Sequence, residues 1–260
     1  MSKRRWGTLI LGIIFFLTAA SFFYTPFRPE QIELAERLQP PSGRHLFGTD
    51  HLGRDIFSRV LVGGRASLLI GVGAVCLGAA AGIVLGLAAG YGGGLADELA
   101  MRGSDGLQSL PSLLLALLLA TIWRPGSAVI LWAVAVGNIP IFLRLTRNQV
   151  LSIKARPYIE AARSVGAGDG QILRRHILPN IGDALVVQFS VSLAGAILVE
   201  ASLSYLGVGI QPPRPSWGRM LREAQAYAAP APWLVIVPGL AIALTVIGFN
   251  LLGDGWIGGR

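Results

Sequence analysis

The stretch ASLLIGVGAVCLGAAAGIVLGLAAGYGGGLA, Ala66–Ala96, runs for 31 residues without a charged side chain. A helix needs about 20 mostly apolar residues to cross the hydrocarbon of a bilayer. This run is long enough, and it decides the solvent in which the chain folds. The remaining composition agrees with it. Hydrophobic residues make up 53% of the chain, charged residues 14%, and the mean hydropathy is +0.60. An ordinary soluble domain carries about a quarter charged residues, and a soluble fold built from this sequence would present large apolar patches to water.

Outward from that run, Trp6–Phe27, Gly106–Trp123, Pro125–Leu143 and Ala224–Gly253 are also free of charge. Ala184–Val199 is a further run, interrupted at Glu200 and apolar again to Gly209. The reading is an all-α, polytopic membrane protein with six spans, centred near residues 15, 78, 115, 135, 194 and 243. An even number of crossings puts both termini on one side. The net charge of +8 then belongs to the membrane surface rather than to nucleic acid, because basic flanks hold cytoplasmic loops against anionic lipid. Summed over the whole chain the two sides carry 12 and 10 Lys/Arg, which decides little. The loops differ more. Arg144–Arg175 carries seven Lys/Arg against Glu160 and Asp169, while Thr25–Arg65 carries six against five acids. The first loop, and with it both termini, is assigned to the cytoplasm.

Smaller signals fill in the bundle. Gly78, Gly82, Gly86 and Gly90 recur every four residues on one helix face, where absent side chains let another helix approach. Pro111, Pro140 and Pro238 start or bend spans. Cys76 is the sole cysteine, so no intrachain disulfide forms. Lys3, Arg4 and Arg5 precede an apolar run that is long enough to span and lacks a convincing cleavage site, so a cleavable signal peptide is not expected.

Between the fourth and fifth spans lies a segment too polar to cross, YIEAARSVGAGDGQILRRHILPN, Tyr158–Asn180. Pro157 suits a helix's first turn, and Tyr158, Ala161, Ala162 and Val165 share one side. Gly166 is a natural terminator. Asp169 is read as the cap of a second helix through Ile172, Leu173 and Ile177, stopping at Pro179. Two uses fit this pair of helices: a docking element for a cytoplasmic partner, or an amphipathic hairpin on anionic lipid.

Glu160-Ala161-Ala162, then Gly166 after three intervening residues, and Leu178-Pro179 together resemble the EAA loop in permease subunits of binding-protein-dependent ABC importers. His176 stands where the broad family pattern has isoleucine, and His-Ile-Leu-Pro-Asn resembles the dipeptide, oligopeptide and nickel branch. LFGTDHLGRDIFSRVLVGGRASL, Leu46–Leu68, is similar to the segment before the second span in the C-type subunits of that branch. EASLSYLGVGIQPPRPSWGRML, Glu200–Leu221, is similar to their fifth-span and external-loop signature, and NLLGDG, Asn250–Gly255, fits their ending with a shortened tail. The resemblance covers about four fifths of the chain, and its motifs stand in the expected order.

The resemblance implies a type I ABC importer permease fold: an N-terminal helix and external segment over 1–65, then a five-helix core over 66–260 with the EAA loop at about 144–180. It implies a coupling helix in which Glu160 makes polar contacts with an ATPase subunit, Ala161 and Ala162 permit close approach, and Gly166 makes the turn. The implied partners are a related permease as a heterodimer, two ATPase subunits or domains and an external solute-binding protein, in a bacterial inner membrane. ATP and Mg would belong to the ATPase subunits. The sequence has no G-x-x-x-x-G-K-[ST] phosphate loop, so this chain is expected to transport rather than to catalyse.

Other residues invite a role. Glu200, near the end of the fifth span, is a candidate for the path or for contact with the binding protein, or it caps a loop at the water boundary. Trp217 is a candidate for the same contact or for a membrane-surface anchor. His45, Asp50, His51 and Asp55 are metal-ligand types, but they lack a helical i, i+4 pair and fall in the branch signature, so no metal site is assigned. Asp50 and Asp55 are expected to cap a short external helix around Ile56–Leu61. Short peptides are the expected cargo, with nickel or a nickel chelate as the alternative for the same machine. A secondary transporter or channel would need a mid-span coupling carboxylate or two similar halves. An intramembrane enzyme would need a nucleophile and base within the spans. Neither pattern is evident.

Overall fold

The computed structural model describes residues 3–109, 111–122 and 125–257. The elements are helices: α1 Lys3–Ala20, α2 Ile56–Gly92, α3 Gly94–Gln108, α4 Ser112–Ile122, α5 Ser127–Lys154, α6 Pro157–Ser164, α7 Asp169–Ile172, α8 Leu178–Leu206, α9 Trp217–Ala224 and α10 Trp233–Ile257. Among the described residues, four stretches are long and apolar enough to cross a membrane: α2, α5, α10 up to Trp256, and Asp169–Leu206. The first and third predicted spans fall on α1 and on α3–α4. The basic residues Lys3, Arg4 and Arg5 lie inside the first turn of α1, which shortens its apolar part. In the third run α3 ends at Gln108, and α4 has 11 residues, about 16 Å of rise against about 30 Å of hydrocarbon. Six crossings are compatible with this arrangement. Trp123 and Arg124, at the end of that run, lie outside the described residues.

The tightest pairing is α2 on α5, and the glycine stripe is its cause. A Cβ on Gly78 would lie 2.5 Å from the Ala135 carbonyl oxygen, and one on Gly82 would lie 2.6 Å from that of Ile139. On Gly86 it would lie 2.6 Å from the Leu143 carbonyl oxygen, and on Gly90 2.9 Å from the Val150 Cβ. Four consecutive turns of α2 therefore rest backbone-to-backbone on α5, and the role of the stripe is close packing. The facing surface of α5 is buried at Ala135, Phe142, Leu143, Thr146 and Val150. Pro140 and Pro238 sit inside α5 and α10, respectively. Around the α2–α5 pair, α8 and α10 close the bundle and α1 lies along α10.

Three hydrophobic clusters follow the long axis of α2. The main one fills the bundle between α2, α5, α8 and α10. A second, at the Leu87–Tyr91 end, gathers Val150, Ile153, Ile159, Ile172, Ile177 and Ile181. A third, at the Ile56 end, joins Ile56 to Met220, Ala224, Ala231 and Leu234. One small core thus sits under the EAA loop, and another organises the opposite end of the bundle.

Helix α2 begins at Ile56, not at Ala66, so the expected boundary after residue 65 falls inside it. Asp55 is its N-cap, and a carboxylate oxygen accepts from the Ser58 amide at 2.8 Å. Asp55 therefore caps the long span itself rather than a separate short external helix. Asp50 caps the preceding turn, accepting from the Leu52 and Arg54 amides at 2.8 and 3.0 Å. Gly48 and Gly53 take φ of +74° and +75° beside the Gln39 and Glu33 carbonyls. A side chain at either would be strained and would collide with that backbone, which gives the GTDHLGRD motif its glycine spacing.

Candidate functional site

The EAA loop is mounted on a core of its own. Pro157 occupies the first turn of α6, as its ring and missing amide hydrogen predict. Gly166 adopts φ +86°, and the Ala167 amide reaches back to the Ala162 carbonyl at 3.0 Å to close the helix. Ile159 is fully buried among Ile172, Ile177 and Ile181. That contact points the opposite face outward: Tyr158, Glu160, Ala161 and Gly166 are exposed and Ala162 is half-buried. Nothing lies within 4 Å of a Cβ built at Gly166, so the turn is open to a partner.

Two expectations for the second half of this segment need correction. Asp169 is the first helical residue, after an N-cap at Gly168 that makes no side-chain bond; the carboxylate of Asp169 instead accepts from the Tyr91 hydroxyl. The helix also does not stop at Pro179. Leu173–Ile177 form a π-helical turn that runs directly into α8, with Pro179 in its first turn. Proline fits because the wider turn has already displaced the i→i−4 pairing that its missing amide would interrupt. The loop is thereby continuous with a long apolar helix.

Its charged residues are held in place. Arg163 donates to the Tyr91 hydroxyl at 3.3 Å, and this bond raises the Arg163 guanidinium pKa above its ordinary value. Lys154 Nζ donates to the Tyr91 carbonyl at 2.6 Å. Arg147 of α5 makes a two-pronged pair with Asp97 of α3, which holds the Asp97 carboxyl below its usual range. Arg144 reaches Ser104 at 2.9 Å and also Asp105. Arg144, Arg147, Lys154 and Arg163 are therefore bonded to α2 and α3.

At the opposite end, the segment between α1 and α2, the first turn of α2 and α9 form an ion-pair network that the sequence reading missed. Glu223 accepts from Arg54 at 2.7 Å, Arg59 at 2.9 Å and Arg219 at 2.9 Å. Arg54 also pairs with Asp50 at 2.6 Å. His45 bridges Asp55 at 2.9 Å and Glu36 at 3.0 Å through its two ring nitrogens. His51 stacks on Tyr227 with centroids 5.0 Å apart, and burial lowers its pKa from the ordinary 6.5. The four residues weighed as metal ligands are thus divided between separate carboxylate–cation and stacking contacts. The i, i+4 spacings of Asp50–Arg54 and Arg219–Glu223 were the legible signs of the network.

Glu200 and Trp217 are interior residues. Glu200 on α8 has no exposed surface; one carboxyl oxygen accepts from Ser204 at 2.8 Å, and the other has no hydrogen-bond partner, with Ser67 of α2 beside it. Trp217 opens α9 at 2% exposure, and its indole donates to the Val60 carbonyl at 2.9 Å. It packs over Gly63 and Gly64 and ties α9 to α2, so it offers no surface for an anchor or a partner in this conformation.

A polytopic helical bundle with an ion-paired subdomain at one end and a glycine-turned helix at the other is the architecture of an ABC importer permease subunit. The chain belongs to the family described as "Binding-protein-dependent transport system inner membrane component", which matches residues 82–258. It is 52% identical over 215 residues to the "Glutathione transport system permease protein GsiD" of Escherichia coli O1:K1 / APEC, covering 83% of this chain and 71% of that protein. The protein of the same description from Shigella sonnei (strain Ss046) matches with the same identity and coverage. Among solved structures, the inward-facing MetNI methionine ABC transporter in its CY5 native crystal form aligns with a TM-score of 0.62 and 19% identity. That alignment covers 74% of this chain and 91% of the other, and at such identity the likeness is one of fold.

Proposed function

We propose that this permease subunit forms half of a translocation path for short peptides and couples it to two ATPase subunits that dock on α6. Glu160 would meet a polar or basic group of the ATPase, Ala161 and Ala162 would allow its backbone to approach, and Gly166 would let the chain turn without obstructing the groove. The observation that carries the docking assignment is the orientation of α6. Buried Ile159 pins one face to its own core, and the EAA residues are left facing outward. ATP and Mg would be held by the ATPase subunits. A related permease would supply the other half of the path, and an external solute-binding protein would meet the Glu223-centred subdomain. In this topology six crossings place both termini and α6 in the cytoplasm.

Short peptides as cargo are supported by the 52% identity to permeases described as glutathione transporters, glutathione being a tripeptide. The experiment that tests the function is co-purification in detergent with the ATPase and permease subunits encoded beside this chain, followed by glutathione uptake in proteoliposomes. Gly166→Asp and Glu160→Lys are expected to insert normally and to lose the ATPase subunits. Retention of those subunits by both variants would remove α6 as the docking site, and wild-type uptake of nickel but not glutathione would move the cargo to the metal branch.

A further inference from the structure

We infer that Tyr91, at the cytoplasmic end of α2, is a positioning residue that fastens α2 to the EAA loop, so that motion of α6 is passed to a helix with which it shares no chain connection. The inference rests on the docking reading of α6. Helix α5 enters the loop through Lys154–Pro157, and α8 leaves it through the π-helical turn, so both follow α6 through the covalent chain. Helix α2 is far away in sequence. Its last turn reaches the loop through Tyr91 alone among the described polar contacts between these elements.

The Tyr91 hydroxyl uses both of its hydrogen-bonding capacities on the loop: it donates to Asp169 at the start of α7 and accepts from Arg163 on α6. Both partners are charged, and such bonds are stronger than neutral ones. Its backbone carbonyl accepts from Lys154 of α5 at 2.6 Å, a cation at the C-terminal end of α2 where the helix dipole favours it. The Lys154 ammonium and the Arg163 guanidinium lie 5.2 and 5.8 Å from the ring centroid, within reach of the ring's negative face. The ring itself packs against the isoleucine core under α6. One residue therefore contacts the end of α5, the coupling helix and the start of α7. Behind it, the glycine stripe seats α2 on α5 over four turns, so a pull on Tyr91 moves a rigid pair of helices rather than one side chain.

The test is a dipolar distance between two spin labels in the assembled transporter, with its other subunits free of cysteine. One label sits on Cys76, the sole cysteine and exposed on α2, and the other on Ser164→Cys at the exposed end of α6. The distance is measured without nucleotide and after trapping with ATP and vanadate. The expected result is one narrow distribution common to both states in the parent and, in Tyr91→Phe, a shifted and broadened distribution in the trapped state. Phenylalanine keeps the ring and its packing and removes only the hydroxyl. A Tyr91→Phe distribution as narrow and as constant as the parent's overturns the inference, as does a parent distance that already changes on trapping. Loss of the ATPase subunits by Tyr91→Phe would make the residue a builder of the loop and also overturns it. Asp169→Ala cuts the same link from its other side and replaces Tyr91→Phe if that variant does not fold and insert into the membrane. Retention of the ATPase subunits by Gly166→Asp and Glu160→Lys would sink the docking reading without touching the distance result, so the two failures are distinguishable.

Discussion

At the scale of single residues, the chain places its most constrained side chains at the two ends of α2. His45 stands between Asp55 and Glu36 at 2% exposure. His45→Ala removes one hydrogen-bond partner from each of two largely buried acids, Asp55 keeping the Ser58 amide and Glu36 keeping Arg44, at a cost of about 2 kcal/mol. Limited proteolysis should then cut the external segment between residues 25 and 55 well before the helices unfold. Glu200 allows a cleaner separation of roles. Glu200→Gln keeps an acceptor for Ser204 and is expected to assemble and melt close to wild type. Glu200→Ala removes the acceptor and opens a void, at a cost of about 2 kcal/mol readable as a lowered Tm in detergent. A Gln variant that folds normally but does not transport would instead show that the carboxyl's charge or proton is used.

At the scale of elements, α2 and α5 behave as one unit because nothing larger than hydrogen fits between them. Gly82→Val brings branched carbon against the Ile139 carbonyl and the Phe142 side chain, where even a Cβ would lie 2.6 and 2.7 Å away. Overpacking of this kind costs about 3 kcal/mol, and the helices must separate to relieve it. The control is Gly12→Val on α1, where a Cβ meets nothing within 4 Å. Thermal unfolding in detergent should show a large loss for the first and a small change for the second. The four-residue glycine repeat is legible as a packing face from the amino-acid sequence alone, since its spacing matches the helical period. Its partner is not, because any helix with a smooth face would satisfy the same pattern. The π-helical turn before Pro179 is equally hidden. Proline after a helical run reads as a stop, and only the continuity of α7 with α8 shows that the chain widens one turn instead.

At the scale of the whole molecule, the proposed topology puts the EAA loop and the Glu223 network on opposite sides of the membrane. Single cysteines at Ser42 and Ser164, made in a Cys76→Ala background, report this directly. A membrane-impermeant maleimide applied to right-side-out vesicles should label Ser42→Cys at once and Ser164→Cys only after the membrane is opened. Labelling in the reverse order would invert the topology and remove α6 from the ATPase side.

The sequence by itself determined the solvent, the number of apolar runs, the order of the motifs and the exposed turn at Gly166. Each of these follows from local quantities: the length of a charge-free run against bilayer thickness, or the φ that only glycine takes without strain. Tertiary structure decided which face of α6 turns outward, because that depends on Ile159 meeting isoleucines from α7, the π-helical turn and α8. It decided that Trp217 and Glu200 are interior, since their burial comes from α2, distant in sequence. It also brought Arg54, Arg59 and Arg219 to one carboxylate and Tyr91 to the EAA loop. Such contacts join residues many turns apart, and their energy exists only once the helices have packed.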